Sequence, residues 1–239
     1  SEQWVNSIKY ENTFDANGNQ TQNMNFLWTN NEWVNSSNKD EYTFDANGNQ
    51  IQHVSYSWLD GEYLKSGKEE SAYDENGNQT QNIRFLWDGN QWIKGSKIEF
   101  TYDESGNQTQ NIGYNWVDNL WVNSSKEEFV LDTNGKNTHF IWSGWDGENW
   151  FYIEKYETIY DDNESISQLV YSEWDVTEWL EAAKFEYHYD AKGNMILSTL
   201  TYIFEGQKIV FMREESVYDD FGNRTSYSFD SGDEREDYT

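Results

Sequence analysis

A unit of 29 residues is written about eight times along this 239-residue chain. A repeat of that length restricts the fold to an array of like supersecondary pieces, because one unit cannot bury an apolar face alone. The phase shows in a turn-like string that opens with aspartate: DANGN at Asp15 and Asp45, DENGN at Asp74, DESGN at Asp103 and DTNGK at Asp132. Looser copies follow at Asp161, Asp190 and Asp219; the first step is 30 residues and the rest are 29. A basic residue two positions before a glutamate runs in phase with it, from Lys9/Glu11, Lys39/Glu41, Lys68/Glu70 and Lys97/Glu99 through Lys126/Glu128, Lys155/Glu157, Lys184/Glu186 and Arg213/Glu215. A third marker is an aromatic pair: Trp28/Trp33, Trp58/Tyr63, Trp87/Trp92, Trp116/Trp121, Trp145/Trp150 and Trp174/Trp179.

Units therefore start near residues 4, 33, 63, 92, 121, 150, 179 and 208, and residues 1–239 are expected to form a single array. The last unit loses the aromatic pair and runs into an acidic tail, Asp230 to Thr239, as a degenerate C-terminal cap does. Trp4 opens directly on a consensus unit, which points to a fragment of a longer protein or to a first strand paired by another molecule.

Composition narrows the classes further. Cysteine and proline are absent, so neither a disulfide framework nor a thiolate metal site is open to this chain. A formal charge of -28 opposes binding to phosphate backbones and anionic lipid. No apolar run approaches a spanning helix and no basic-then-apolar leader is present, so membrane insertion is not expected and the residues read as those of a soluble extracellular protein. Aromatic residues make up 18% of the chain, far above what disordered segments carry.

The residues between turns alternate with period two. In Trp92 to Tyr102 one parity carries Trp92, Ile98, Phe100 and Tyr102, and the other Lys97, Glu99 and Thr101; Gln79 to Trp87 alternates likewise. Asp-x-Asn-Gly supplies a type I turn followed by a left-handed glycine bulge. Counting from the Asp15 turn sets Tyr10 opposite Met24, Lys9 opposite Asn25 and Ile8 opposite Phe26. Counting from Trp87-Asp88-Gly89-Asn90-Gln91-Trp92 sets the two tryptophans face to face, Phe85 opposite Lys94, Ile83 opposite Ser96 and Asn82 opposite Lys97. The expectation is an all-β antiparallel meander of about sixteen strands, one face aromatic and the other polar. Because a flat sheet that wide leaves the aromatic face in water, it should curl into a spiral or superhelical sheet.

The strings YDENGNQTQ at Tyr73 and YDESGNQTQ at Tyr102, with YDAKGN at Tyr189 and YDDFGN at Tyr218, resemble the YD repeat of RHS and teneurin-type proteins. That resemblance covers the whole chain and implies hairpins of a long spiralling sheet, a shell or surface structure of bacteria. The unit here is longer than is usual in that family, and the Trp-x4-Trp element is an addition. The tryptophan-decorated form also resembles repeat regions of secreted surface proteins of Bacteroidetes-type bacteria. The shared Asp-x-x-Gly turn is similar to that of choline- and glucan-binding hairpins.

Three constellations could carry chemistry. Oxygen donors at Asp15, Asn17 and Asn19, and again at Asp45, Asn47 and Asn49, alternate as calcium loops do, though the bidentate glutamate of such loops is missing and turn chemistry accounts for them. The Lys-x-Glu pairs read as an exposed charge ladder, because an active site is built once and not eight times. Lys97 opposite Asn82 would also suit an isopeptide crosslink. Trp28, Trp33, Trp58, Tyr63, Trp87, Trp92, Trp116, Trp121, Trp145, Trp150, Trp174 and Trp179 are the ligand candidates, either clasping hairpins or offering stacking platforms to sugar rings. His53, His139 and His188 fall at three different phases of the unit.

The expected function is that of a non-enzymatic extracellular repeat module with a structural or adhesive role, on a bacterial surface or in a secreted assembly. Its partner would be another protein or a second copy meeting the uncapped first strand, and no cofactor is called for. Two rival readings stand beside it: a multivalent glycan-binding module, and a shell fragment of an RHS-type toxin system.

Overall fold

A computed structural model describes residues 7–204 and 206–232, so Trp4 and the tail from 233 onward lie outside the described residues. The protein is all-β. Its strands are β1 (Ile8–Phe14), β2 (Gln20–Thr29), β3 (Glu32–Phe44), β4 (Gln50–Leu59), β5 (Glu62–Tyr73), β6 (Gln79–Trp87), β7 (Trp92–Tyr102) and β8 (Gln108–Val117). They continue as β9 (Leu120–Leu131), β10 (Asn137–Trp145), β11 (Trp150–Tyr160), β12 (Ile166–Trp174), β13 (Trp179–Tyr189), β14 (Met195–Phe204), β15 (Gln207–Tyr218) and β16 (Arg224–Ser231). Strand order follows chain order from β1 to β16 in one antiparallel meander that is not closed into a barrel. The backbone groups into two compact units, Ser1–Ser124 and Ser125–Thr239.

Both turns have the expected chemistry. In the first, the Gly18 amide donates to the Asp15 carbonyl at 3.2 Å, the Asp15 amide donates to the Asn19 carbonyl at 2.9 Å, and Gly18 has φ 89. The same arrangement recurs at Asp45, Asp74 and Asp103 in the first unit and at Asp132, Asp190 and Asp219 in the second. At the opposite end, Trp28 faces Trp33, Trp58 faces Tyr63, and Trp87 faces Trp92. Between Trp28 and Trp33 pairing extends inward to Thr29 and Glu32, and Asn30 and Asn31 at φ 51 and 65 form a two-residue left-handed turn.

The register beyond the turns corrects the sequence expectation. Phe14 faces Gln20 but Thr13 faces Gln22, so Thr21 is an extra residue, and from there Glu11 meets Met24, Tyr10 meets Asn25, Lys9 meets Phe26 and Ile8 meets Leu27. Each of these partners is one residue away from the counted one. The equivalent bulges leave Thr109, Thr138, Ser167 and Thr225 unpaired, and their hydroxyls donate to the carbonyls of Thr101, Val130, Ile159 and Val217 at 3.0–3.2 Å. A hydroxyl at that position thus satisfies a carbonyl at the bulge in these four repeats, while Ile51 and Ile196 hold the same place in two others.

A second bulge sits nearer the tryptophans. Phe85 faces Lys94 as counted, but Arg84 faces Ser96, leaving Gly95 extra; Ile83 then meets Lys97 and Asn82 meets Ile98. Each bulge reverses parity for the rest of the strand. Lys97 and Glu99 therefore share a face with Trp92 and Phe85, while Ile98 and Phe100 turn to the other side. The lysine ladder belongs to the aromatic face and not to a separate polar one. An isopeptide between Lys97 and Asn82 has no basis in this register.

Few side chains are fully covered. Among the described residues of the first unit they are Phe85, 8% exposed, and Lys97, 9% exposed. In the second they are small: Ser143, Ser172, Ala183, Ser198, Thr201 and Ser216, with Leu200.

Candidate functional site

The recurring assembly of the first unit is built from five side chains. Lys68 lies with its ammonium 3.9 Å from the Phe85 ring centroid and 5.7 Å from that of Trp92, and Lys65 lies 4.4 Å from Trp87. One repeat on, Lys97 is 3.9 Å from Tyr114 and 5.4 Å from Trp121, and Lys94 is 4.4 Å from Trp116. Lys39 over Tyr56 at 4.0 Å and Lys9 over Phe26 at 4.3 Å are the earlier copies. In each, strand spacing sets the lysine of one hairpin beside the aromatic of the next, where the ring's negative face attracts the cation.

Each lysine of a Lys-x-Glu pair is also tied to its own glutamate. Lys97 reaches Glu99 at 2.6 Å and Lys68 reaches Glu70 at 2.6 Å, with the lysines far more covered than the carboxylates. Tyr114 donates to Glu99 at 2.7 Å and Tyr56 donates to Glu41 at the same distance. Burial pulls the Glu99 carboxyl upward, but the Lys97 ammonium and the Tyr114 hydroxyl outweigh it and hold it below the ordinary range. Burial, reinforced by the Glu99 carboxylate, pushes the Tyr114 hydroxyl up to about 12. The exposed charge ladder expected from sequence is instead a set of half-covered clamps. The aromatic two positions before each first tryptophan, as in Phe26, Tyr56, Phe85 and Tyr114, went unrecognised as their covering half. Its constant phase with the lysine was the available signal.

The ligand-candidate rings come together in pairs. Trp28/Trp33, Trp58/Tyr63, Trp87/Trp92, Trp116/Trp121, Trp145/Trp150 and Trp174/Trp179 all meet edge to face with centroids 4.7–5.2 Å apart. All twelve are half-buried. The second unit varies the pattern. Where the first has Phe26, Tyr56, Phe85 and Tyr114, it has Ser143, Ser172 and Thr201 facing Lys126, Lys155 and Lys184. Ser143 is 0% exposed. Aromatic mass appears instead on the opposite face, where Phe129, Phe140, Tyr156 and Tyr171 form a row with successive centroids 5.5, 5.9 and 5.1 Å apart.

The aspartate turns use their oxygens internally. Asp15 Oδ1 accepts from the Asn17 and Asn19 amides and Oδ2 from the Asn19 side chain, all at 2.9 Å, and Asp45 repeats this with Asn47 and Asn49. The side-chain bond from Asn19, then its amide, hold the Asp15 carboxyl below its usual value despite the opposing cost of desolvation. Among the described residues no cluster of three or more His, Cys, Asp or Glu suited to a metal ion occurs. His53 contacts Asp40 at 2.8 Å and stacks on Tyr42, while His139 contacts Glu157 at 3.1 Å. The YD tyrosines act as staples: Tyr73, Tyr102, Tyr160 and Tyr189 donate to the carbonyls of Gln50, Gln79, Asn137 and Ile166, each 23 residues earlier, at 2.8–3.0 Å.

The fold and these clasps define an antiparallel hairpin-repeat protein. No protein-family model matches the chain, and no curated protein does. Among solved structures, the chain is similar in fold to the crystal structure of TcdB2-TccC3-Cdc42, with a TM-score of 0.64 at 13% identity, over 95% of this chain and 11% of that one. The chain thus spans about a tenth of the structure it matches. A DUF3836 family protein from Bacteroides vulgatus matches with a TM-score of 0.33 at 16% identity over 37% of this chain and 91% of that one. Among the described residues no helix is long and apolar enough to cross a membrane.

Proposed function

We propose that this chain is a structural segment of a secreted or surface-displayed bacterial assembly, holding protein partners without catalysing a reaction. The observation that carries this reading is the use of the recurring residues. The lysines, glutamates, turn aspartates, YD tyrosines and tryptophan pairs spend their contacts on their own turn, their own strand or the neighbouring strand, at nearly constant distances from repeat to repeat. The narrower reading, a shell fragment of an RHS-type toxin system, is favoured by the fold shared with TcdB2-TccC3-Cdc42 over 95% of this chain, together with the YD strings.

Replacing Trp87 and Trp92 together by alanine separates this reading from multivalent glycan binding. A structural role predicts a chain of lowered thermal stability that never bound immobilised polysaccharide. A wild-type chain that binds polysaccharide, and a folded double variant that has lost that binding, would support the glycan module instead.

A further inference from the structure

On the face opposite the tryptophan pairs, the second unit is apolar at mid-strand where the first is polar. Register sets Phe129, Phe140, Tyr156 and Tyr171 in one row across the strands, with Leu169 and Phe185 beside it. The tract runs on through Leu200 and Met212 toward Phe229 on β16. Eight strands at about 4.8 Å and six residues at about 3.3 Å span roughly 34 by 20 Å, or about 700 Å². That is close to the about 800 Å² that each partner gives a stable complex, and more than the few hundred Å² of apolar patch ordinary on a monomer. Part of it stands well out into solvent: Leu180, Tyr202 and Phe229 are 46%, 44% and 53% exposed.

The charges on this face have one sign. Glu154 stands opposite Glu173, and Glu214 opposite Phe229, while by the same registers Lys126, Lys155, Lys184 and Arg213 lie on the other face. Among the described residues none of Glu154, Glu173 and Glu214 forms an ion pair. Tyr171 donates to Glu173 at 2.9 Å and Tyr227 to Glu214 at 3.1 Å, bonds that satisfy an oxygen and leave its charge in place. Burial first, then the Glu173 and Glu154 carboxylates, push the Tyr171 hydroxyl up to about 12, as an unrelieved negative potential does. The corresponding face of the first unit answers its acids itself: Asp40 contacts His53 at 2.8 Å and Glu69 contacts Arg84 at 2.9 Å. Its polar side chains also close on one another, Asn23 donating to Asn12 at 2.7 Å and Asn82 to Ser71 at 3.2 Å.

We propose that this face of the second unit docks a partner protein through an apolar surface edged by lysine or arginine. The inference deepens the reading of the chain as a protein-holding segment and rests on it. Charge complementarity selects the occupant. A second copy meeting the same face would bring the glutamates of both together, on two bodies that each carry a formal charge of -28. That charge opposes anionic lipid in the same way and draws in a basic partner.

The test is a titration of the whole chain at about 0.15 M salt, where charge attraction beyond about 8 Å is screened. The probes are three model peptides of equal length, a leucine-lysine amphipathic helix, its leucine-glutamate counterpart and a serine-lysine chain, followed through tyrosine and phenylalanine ring resonances. The leucine-lysine helix should shift Tyr171, Tyr202 and Phe229 and leave Tyr56 and Tyr114 of the first unit in place, and the other two peptides should shift none of them. Glu154→Gln combined with Glu173→Gln removes two like charges that stand directly opposite, so the double variant should melt at a higher temperature than the parent. It should nevertheless bind the leucine-lysine helix about tenfold more weakly. The proposal is overturned by equal shifts from the serine-lysine chain or the leucine-glutamate helix, by shifts at Tyr56 and Tyr114 that match those at Tyr171, or by a folded double variant that binds undiminished. It is overturned equally if sedimentation shows the chain alone pairing with itself while Tyr202 becomes protected from solvent. The structural reading is tested separately, through the stability of the Trp87 and Trp92 double variant, which this titration does not touch.

Discussion

The Lys97 ammonium sits 3.9 Å from the centre of the Tyr114 ring on the next hairpin, while the hydroxyl of that same tyrosine donates at 2.7 Å to Glu99, the carboxylate that Lys97 grips. One lysine therefore joins two hairpins by its ring contact and its own strand by its charge. Replacing Lys97 by alanine removes the covered stem and the cation together and should cost about 2 kcal/mol in urea unfolding. Lys97→Met keeps the stem and should cost about half as much. Equal losses for the two would show that charge, and not packing, dominates.

The YD tyrosines make a separate link, between the two strands of a tryptophan-turn hairpin. Tyr102→Phe removes the bond from its hydroxyl to the Gln79 carbonyl, 2.8 Å long, and keeps the ring. The expected loss is about 1 kcal/mol, with hydrogen exchange accelerating at the amides around Gln79. A variant as stable as the parent would reduce the motif's tyrosine to a ring that fills space.

Acid should loosen the aspartate turns. The Asn78 side chain holds the Asp74 carboxyl below its ordinary value of 3.8 against desolvation, with further support from the Asn78 and Asn76 amides, and Asn107 does the same for Asp103. A carboxyl whose folded pKa is depressed adds stability that is present above the unfolded value and is lost as pH falls through the folded one. Thermal stability should accordingly decline as pH drops below 3.8, and Asp103→Asn should flatten that decline while lowering stability at neutral pH.

Alkali should act through a different set. Burial and the Glu99 carboxylate raise Tyr114 from 10.0 to about 12, and burial with Glu41 does the same for Tyr56. The sign is opposite to that of the aspartates: the contribution is complete below pH 10 and drains away as pH rises toward 12. Tyrosine ionisation followed by absorbance should therefore show a late group that titrates with unfolding, reduced in Tyr114→Phe.

The turns were legible because Asp, Asn and Gly at Asp15 to Gly18 each supply a conformation or acceptor that few other residues supply as well. The pairing of Trp87 with Trp92 followed from the loop length alone. Register was not legible, because Thr80 and Gly95 each insert one residue that leaves the hydrophobic alternation looking regular in sequence while reversing it in space. Lysine is seldom covered, so Lys97 read as an exposed residue, and only its cross-strand neighbours Ile83 and Tyr114 show why it is not.

Cross-strand proton contacts of Lys97 test the central claim most directly, since the clamp stands or falls with its register. With selectively labelled lysine, tyrosine, isoleucine and asparagine, the account predicts contacts from Lys97 to Ile83 and Tyr114 and an upfield ring-current shift of its ε-methylene protons. Contacts from Lys97 to Asn82, with methylene shifts like those of a solvent-exposed lysine, would contradict it.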